Sequence, residues 1–320
     1  MEIVWIPHKG LDRPIEGKRW SDGLKWCGDI LLENLQLYIS PEFHIKPAYN
    51  FDDLDKFTDT DIVVVNNTAT SALKRQYIFW KRSNITEYIK IKDRPAFIAG
   101  VNGFIGLERC KTILHDFDAV AAVGPKLANE AKKYNIHTFF CPEGVDLDLF
   151  SPIIKEPNGF TIGWVGDSEK KHKNLDLVPL LGFKYNYQAK ENYIPYDQMP
   201  AFYHKVNVLI NLSYLKSKNN NENWGEGFCK PILEAAACGL PIVSTDTGIA
   251  SEIIDREWII QSDPKKDLQP FVKKLEILSL DQELRNRVGE KNRKNSMKYS
   301  LENMVKIYED MFRQVRNMVP

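Results

Sequence analysis

In the stretch NWGEGFCKPILEAAACGLPIVSTD, from Asn223 to Asp246, Glu226 and Glu234 bracket seven residues that open with Gly-Phe and contain Pro231. A plain core helix needs none of this. Pro231 suits the first helical position, where a missing N–H has no partner to lose. Gly239 suits the position just past a helix end. Between them ILEAAAC is a short apolar helical run, and LPIVST after it reads as a buried strand. The spacing therefore predicts Glu226 on the loop before a helix and Glu234 in that helix's first turn. The amides of Gly227, Phe228 and Cys229 would then be unpaired donors at the positive helix end, an anion site with a carboxylate on either side.

The elements that must position such a site follow from the alternation along the chain. EIVWIP, DIVVV, PAFIAG, DAVAAV and HTFFC are strand-length apolar runs, with helical patterns between them in DGLKWCGDILLENLQLY and GPKLANEAKKY. After the Pro-, Gly- and acid-rich linker CPEGVDLDLFSPIIKEPNG the rhythm restarts with FTIGWVG, VNVLINLS, PIVSTD and EWIIQ, again with helices expected between strands. This is the pattern of parallel sheets with helices on their faces. At 320 residues two domains are the default. The expected division is 1–150, 151–300 and a terminal amphipathic helix in 301–320, SLENMVKIYEDMFRQVRNM, that returns to brace the first domain.

Composition narrows the function classes. Forty-three basic and 43 acidic residues cancel, so no global field favours nucleic acid. The five cysteines are scattered, odd in number and never in a C-x-x-C pair, which fits a reducing compartment and neither a disulfide framework nor a zinc site. MEIVWIPHKG lacks a signal peptide's basic start, and no run reaches spanning length, so a soluble cytoplasmic protein is expected.

Taken together, EGFCKPILEAAACGLPIVSTDTG resembles the E-x7-E region of the retaining glycosyltransferases of family 4. FFCPEGVDLDLFSP is similar to that family's domain junction. YDQMPAFYHKVNVLINLS looks like the helix and strand before its donor loop, and FTIGWVGDSEKKHKN like the first strand and phosphate loop of its second domain. The resemblance is ordered over roughly the last 200 residues. In the first 120 only the β/α rhythm agrees. It implies an α/β protein of GT-B fold, two facing Rossmann-like doubly wound domains.

The roles it implies match the local chemistry. Glu226 and the backbone of Gly227 to Cys229 would hold the donor sugar, and Glu234 would accept hydrogen bonds from the ribose. Lys173, beyond the phosphate-loop Gly166, would neutralise the diphosphate, with Lys170 or Lys171 as alternates. Charge builds on that diphosphate as the sugar leaves, which is where fixed donors lower the barrier. No metal or cofactor is implied. Three positions depart from the family pattern. Asp167 stands where an arginine is usual, Cys229 replaces the glycine of E-G-F-G, and Asn102 in PAFIAGVNGF matches a histidine that could titrate.

Other features have plainer readings. The lysines at 170, 171 and 173 form a charge run, ordinarily a solvated face. The pairs Asp53/Asp55, Asp59/Asp61 and Asp146/Asp148 do not directly follow apolar strands and read as turn and cap residues, not a metal site. GVNGFIG is not a G-x-G-x-x-G fingerprint. The six histidines show no ligand spacing. His115 and Cys238 lie on helical patterns as packing residues. The basic, aromatic-rich stretch 74–94 is either a surface helix with a buried aromatic side or a docking face for an anionic membrane or lipid-linked acceptor.

The expected activity is metal-independent, retaining transfer of a hexose from a UDP- or GDP-linked donor to a glycan or lipid-linked acceptor. The donor would sit in a cleft between domains. The acceptor would approach loops around Arg13 to Asp22 and Asn66 to Thr70, with contact at the inner membrane face through 74–94. The rivals are another GT-B reaction, such as an epimerase or phosphorylase, and a degenerate sugar-nucleotide or glycan-binding subunit.

Overall fold

Strands such as Ile62–Val65 (IVVV) and Ala96–Val101 (AFIAGV) bury every residue, because helices lie over both faces of a parallel sheet. The computed structural model describes residues 1–6, 27–48, 60–66, 68, 94–152, 159–216 and 223–319. The loop 13–22, most of 66–70, residues 74–93 and Asp53, Asp55 and Asp59 lie outside the described residues.

The chain divides into two units: Met1–Glu143 with Leu301–Pro320, and Gly144–Ser300. The first division thus falls seven residues before residue 150. In the first unit, β1 (Glu2–Ile6), β2 (His44–Pro47), β3 (Ile62–Val65), β4 (Ala96–Val101), β5 (Ala119–Ala122) and β6 (Thr138–Phe140) form a parallel sheet in the order β2-β1-β3-β4-β5-β6. Helices α1 (Cys27–Tyr38), α2 (Phe104–Cys110) and α3 (Pro125–Ala131) accompany it. His115 sits on a 3-10 turn with its side chain 68% exposed, so it is not a packing residue.

The helix Leu301–Arg316 belongs to this first unit. Its stripe Leu301, Met304, Val305, Tyr308, Met311, Phe312 and Val315 follows helical spacing and enters one core with Leu31 and Leu35 of α1 and Ile3, Trp5 and Ile62 of the sheet. Polar clamps fix its register. Arg316 Nε donates to Asp61 at 3.0 Å, Asp61 also accepts the Glu2 amide at 2.8 Å, and Glu309 accepts the Ser40 amide at 2.8 Å.

The second unit holds β7 (Thr161–Val165), β8 (Lys184–Gln188), β9 (Val208–Asn211), β10 (Ile242–Thr245) and β11 (Ile259–Ile260), parallel and ordered β11-β10-β9-β7-β8. Its helices are α4 (Met199–Tyr203), α5 (Lys230–Ala237), α6 (Ala250–Ile253), α7 (Gln269–Leu280) and α8 (Gln282–Ser296); the terminal helix Leu301–Arg316 is α9. Between β7 and β8 no α-helix forms. Asn174 (φ 53°) and Gly182 (φ 79°) adopt left-handed backbone and Pro179 interrupts the run, so the crossover is three 3-10 turns.

Residues 144–152 of the expected linker pack into the second unit. Val145 pairs with Ser300, Phe150 is buried, and Arg293 donates to the carbonyls of Phe150, Leu147 and Ala237. Asp146 accepts the Asp148 and Leu149 amides at 3.0 Å each, as a turn residue does.

Candidate functional site

In the second sheet the chain runs from β7 outward to β8, then returns to the other side of β7 as β9. The direction of winding reverses between β7 and β9, and the carboxyl ends of such strands form a crevice. Gly166 and Lys173 follow β7; Ser213 and Glu226 follow β9; Thr247 follows β10. Residues far apart in sequence therefore meet there.

The centre is an ion pair. Lys173 Nζ lies 2.6 Å from Glu226 Oε1, with side chains 12% and 14% exposed. Ser213 Oγ donates to the same carboxylate oxygen at 2.9 Å, and Thr247 Oγ1 accepts the Glu226 amide at 2.8 Å. Burial pushes the Glu226 carboxyl up, but the Lys173 ammonium and the Ser213 hydroxyl outweigh it and hold the carboxyl below its ordinary value. His172, beside them, is driven below its ordinary value by burial, with Glu226 opposing.

Backbone contacts fix the lysine. Trp164 Nε1 donates to the Lys173 carbonyl at 3.2 Å, Tyr214 N–H donates to the His172 carbonyl at 2.8 Å, and Asn174 Nδ2 donates to the Leu212 carbonyl at 2.8 Å. Gly166 is needed for closeness: a Cβ there would lie 2.9 Å from both the Lys173 stem and the Trp164 ring. Asp167, where a cation was the family norm, caps its own turn by accepting the Glu169 amide at 3.1 Å. Lys170 is exposed with its ammonium 3.7 Å from Asp167, and Lys171 is exposed as well. Of the three lysines, the structure brings Lys173 alone to Glu226.

The loop before α5 is pinned from below. Asn223 donates to the Ser213 carbonyl and accepts the Leu215 and Gly225 amides, each at 2.9 Å. Cys229 adopts left-handed backbone, φ 71°, which accounts physically for a preference for glycine there. Helix α5 starts at Lys230, so Pro231 occupies its second position and Glu234 its second turn, not the first. Gly239 does follow the helix, at φ 74°.

Glu234 is more enclosed than the sequence suggests, at 5% exposure. Tyr203 Oη donates to its Oε2 at 2.7 Å, and Lys230 lies with its ammonium 4.8 Å from the centre of the Tyr196 ring. Burial raises the Glu234 carboxyl, against the pull of Lys230 and Tyr203. Cys238 is a buried packing residue, its thiol pushed up to about 12 by burial and by Glu234. Asn102 lies on the first unit, donating to Asn66 Oδ1 at 3.2 Å.

Sequence reading missed Ser213, Asn223, Thr247, His172 and Tyr203. The signal available was modest: hydroxyls and amides within three residues of a strand's carboxyl end, in NLS and TDTG.

The Glycosyl transferases group 1 family model matches residues 165–295, from the end of β7 into α8. No curated protein matches the chain by sequence. HepE of Anabaena, solved with UDP and glucose, aligns at a TM-score of 0.68 and 11% identity over 98% of this chain and 100% of that one. Sucrose-phosphate synthase of Thermosynechococcus elongatus gives 0.59 and 14% over 82% and 76%. A single-residue mutant of S. aureus TarM, solved with fondaparinux, α-GlcNAc-glycerol and UDP, gives 0.61 and 11% over 82% of this chain; the chain spans only 57% of TarM. The chain carries two parallel-sheet Rossmann-like units in the fold of the GT-B glycosyltransferases, and its 165–295 segment matches the group 1 enzymes.

Proposed function

We propose that this protein is a retaining glycosyltransferase of the family 4 type, moving a hexose from a nucleoside diphosphate sugar to a glycan or lipid-linked acceptor. The observation that carries the reading is the Lys173–Glu226 pair at 2.6 Å, set at the reversal point of a doubly wound sheet and beside the N-terminus of α5. A diphosphate offers Lys173 a stronger anion than one carboxylate. Exchange of partners leaves Glu226 free to accept sugar hydroxyls. The amides from Gly227 to Cys229 face the same anion. Glu234, held through Oε2 by Tyr203, turns its other oxygen to the ribose. UDP in HepE, TarM and the pneumococcal enzyme GtfA supports a uridine donor over a guanosine one.

In the reaction the bond from the anomeric carbon to the diphosphate oxygen breaks. The acceptor oxygen bonds to the same face, and its proton passes to the departing phosphate. Lys173 and the loop amides stabilise the charge that develops there. Neutralisation falls to Lys173, so turnover is expected to survive EDTA. The donor belongs to the second unit and the acceptor to the first, with Asn102 as a hydroxyl partner. Contact with anionic membranes through 74–94 is part of the same reading, and absence of sedimentation with anionic liposomes at low salt would remove it.

The test is calorimetric titration with UDP, GDP, ADP and NAD on wild type and Glu234→Ala, followed by donor turnover on wild type and Glu226→Ala. Tight UDP binding weakened by the first variant, and turnover lost in the second with folding intact, support the enzyme. The rival, a non-catalytic sugar-nucleotide or glycan-binding subunit, draws on Asp167 closing its own turn where a cation would serve catalysis. Binding of UDP with no turnover by either protein favours that rival.

A further inference from the structure

Strand β8 is the edge of the second sheet, and its sequence KYNYQ alternates polar residues with tyrosine. Tyr185 and Tyr187 therefore project from one face, their ring centroids 6.4 Å apart and their planes inclined by 35°. Tyr185 is 37% exposed. Beside them opens a pocket of about 680 Å³, bordered also by Asn192, Gln198, Phe202 and Lys205. The short helix α4, five residues long, forms part of its wall through Ala201 and Phe202. The volume lies within the range of small-molecule sites, about 300–1,000 Å³.

The lining is selective in its chemistry. Two tilted aromatic rings supply an apolar wall with a polar tip on each ring. Gln198 and Lys205 are exposed and carry donors at the rim. Asn192 is a fixed wall: its Oδ1 accepts the Ala189 amide and its Nδ2 donates to the Tyr187 carbonyl, each at 2.6 Å. Among the described residues no carboxylate borders the pocket, and Lys205 adds a positive charge. A pyranose ring matches this set, with an apolar C–H face for each tyrosine and hydroxyls or a carboxylate for the amide and ammonium.

We infer that this pocket is a second, non-catalytic saccharide-binding site, taking a neutral or uronic-acid-containing oligosaccharide across Tyr185 and Tyr187. It uses none of the residues assigned to the reaction, so it holds an oligosaccharide apart from the Lys173–Glu226 centre.

The experiment applies the full chain to an array of short oligosaccharides with neutral, N-acetylated and uronic-acid members, with UDP titration of the same proteins alongside. At least one oligosaccharide is expected to bind wild type. Tyr185→Ala with Tyr187→Ala should weaken that binding about tenfold or more and leave UDP affinity unchanged. Glu226→Ala should leave it unaltered. The inference is overturned if no member binds wild type, if the tyrosine variant binds as wild type does, or if that variant loses UDP, which would make the pocket part of a nucleotide site. Should the tyrosine variant unfold, the exposed Gln198→Ala and Lys205→Ala carry the test, and unchanged binding in both overturns it. Failure of wild type to bind UDP would sink the proposed reaction without touching the array result.

Discussion

Gly248 is where one methyl group should do the most damage. Its φ is 57°, and a Cβ built on it would lie 2.1 Å from the Phe228 carbonyl oxygen. Carbon and oxygen normally approach to about 3.3 Å, so in Gly248→Ala the carbonyl must retreat by about 1.2 Å. Left-handed backbone at alanine costs about 1–2 kcal/mol. The retreat also breaks the 2.8 Å bond from the Ile249 amide to the Phe228 carbonyl, at about 1–3 kcal/mol for groups left unpaired in a buried setting. The expected loss is about 2–5 kcal/mol, against a total stability of about 5–15 kcal/mol. The variant should therefore fold. Because Phe228 belongs to the proposed donor loop, a shift of this size should lower turnover about 100-fold. Urea denaturation followed by circular dichroism reads the first effect and donor turnover the second. Gly103→Ala is the control, since its Cβ meets nothing within 4 Å. A loss below about 1 kcal/mol in Gly248→Ala would refute the close approach and the strain together.

The Lys173–Glu226 pair should be strongly coupled: Glu226→Gln strands a largely buried ammonium at about 3 kcal/mol, and adding Lys173→Met should restore part of it, as a double-mutant cycle in urea would measure. Purely additive losses would mean the two charges do not interact. His172 has a pKa below its ordinary 6.5 because burial penalises its charge, so its contribution is complete above about pH 6.5 and is lost as pH falls towards the lowered folded value. His172→Gln should flatten the stability profile in that window, and an unchanged profile would count against the burial. Phe312 is fully buried, with ring centroids 6.1 Å from those of both Phe43 and Tyr308. Phe312→Ala should cost about 3–5 kcal/mol and shift only the first unit's calorimetric transition.

The interior of the fold was legible because its strands are buried on both faces, and IVVV or IVST admits few other readings. The two strands that escaped, β2 (HIKP) and β8 (KYNYQ), are both sheet edges. An edge strand is covered less than a central one, as in β2 where Ile45 alone is buried, and so carries no continuous apolar run. The helix expected between FTIGWVG and VNVLINLS is α4, which forms only after β8; the stretch before β8 stays in 3-10 turns because Asn174 spends its side chain on the Leu212 carbonyl and its backbone on a left-handed turn. In the site, the spacing of Glu226 and Glu234 around a helix start was readable. That Tyr203 occupies one oxygen of Glu234 was not, since the two are 31 positions apart and meet only through packing. Lys173 stood out among three neighbouring lysines only by resemblance; the fold singles it out because the Trp164 indole and Asn174 hold its backbone against the sheet.

The first unit is built from two stretches of chain, and the second stretch is translated only after the whole of the second unit. The first unit's sheet leaves the ribosome with no α9 to cover Ile3, Trp5 and Ile62, and 157 residues, Gly144–Ser300, must be made before Leu301 emerges. At about 5–20 residues per second that interval is roughly 8–30 s. The second unit is one continuous stretch, Gly144–Ser300, so it can mature first, inverting the usual amino-to-carboxyl order. A nascent chain of this kind presents an open apolar sheet to chaperones until α9 arrives, and arrest or proteolysis before that point disarms the first unit while sparing the second.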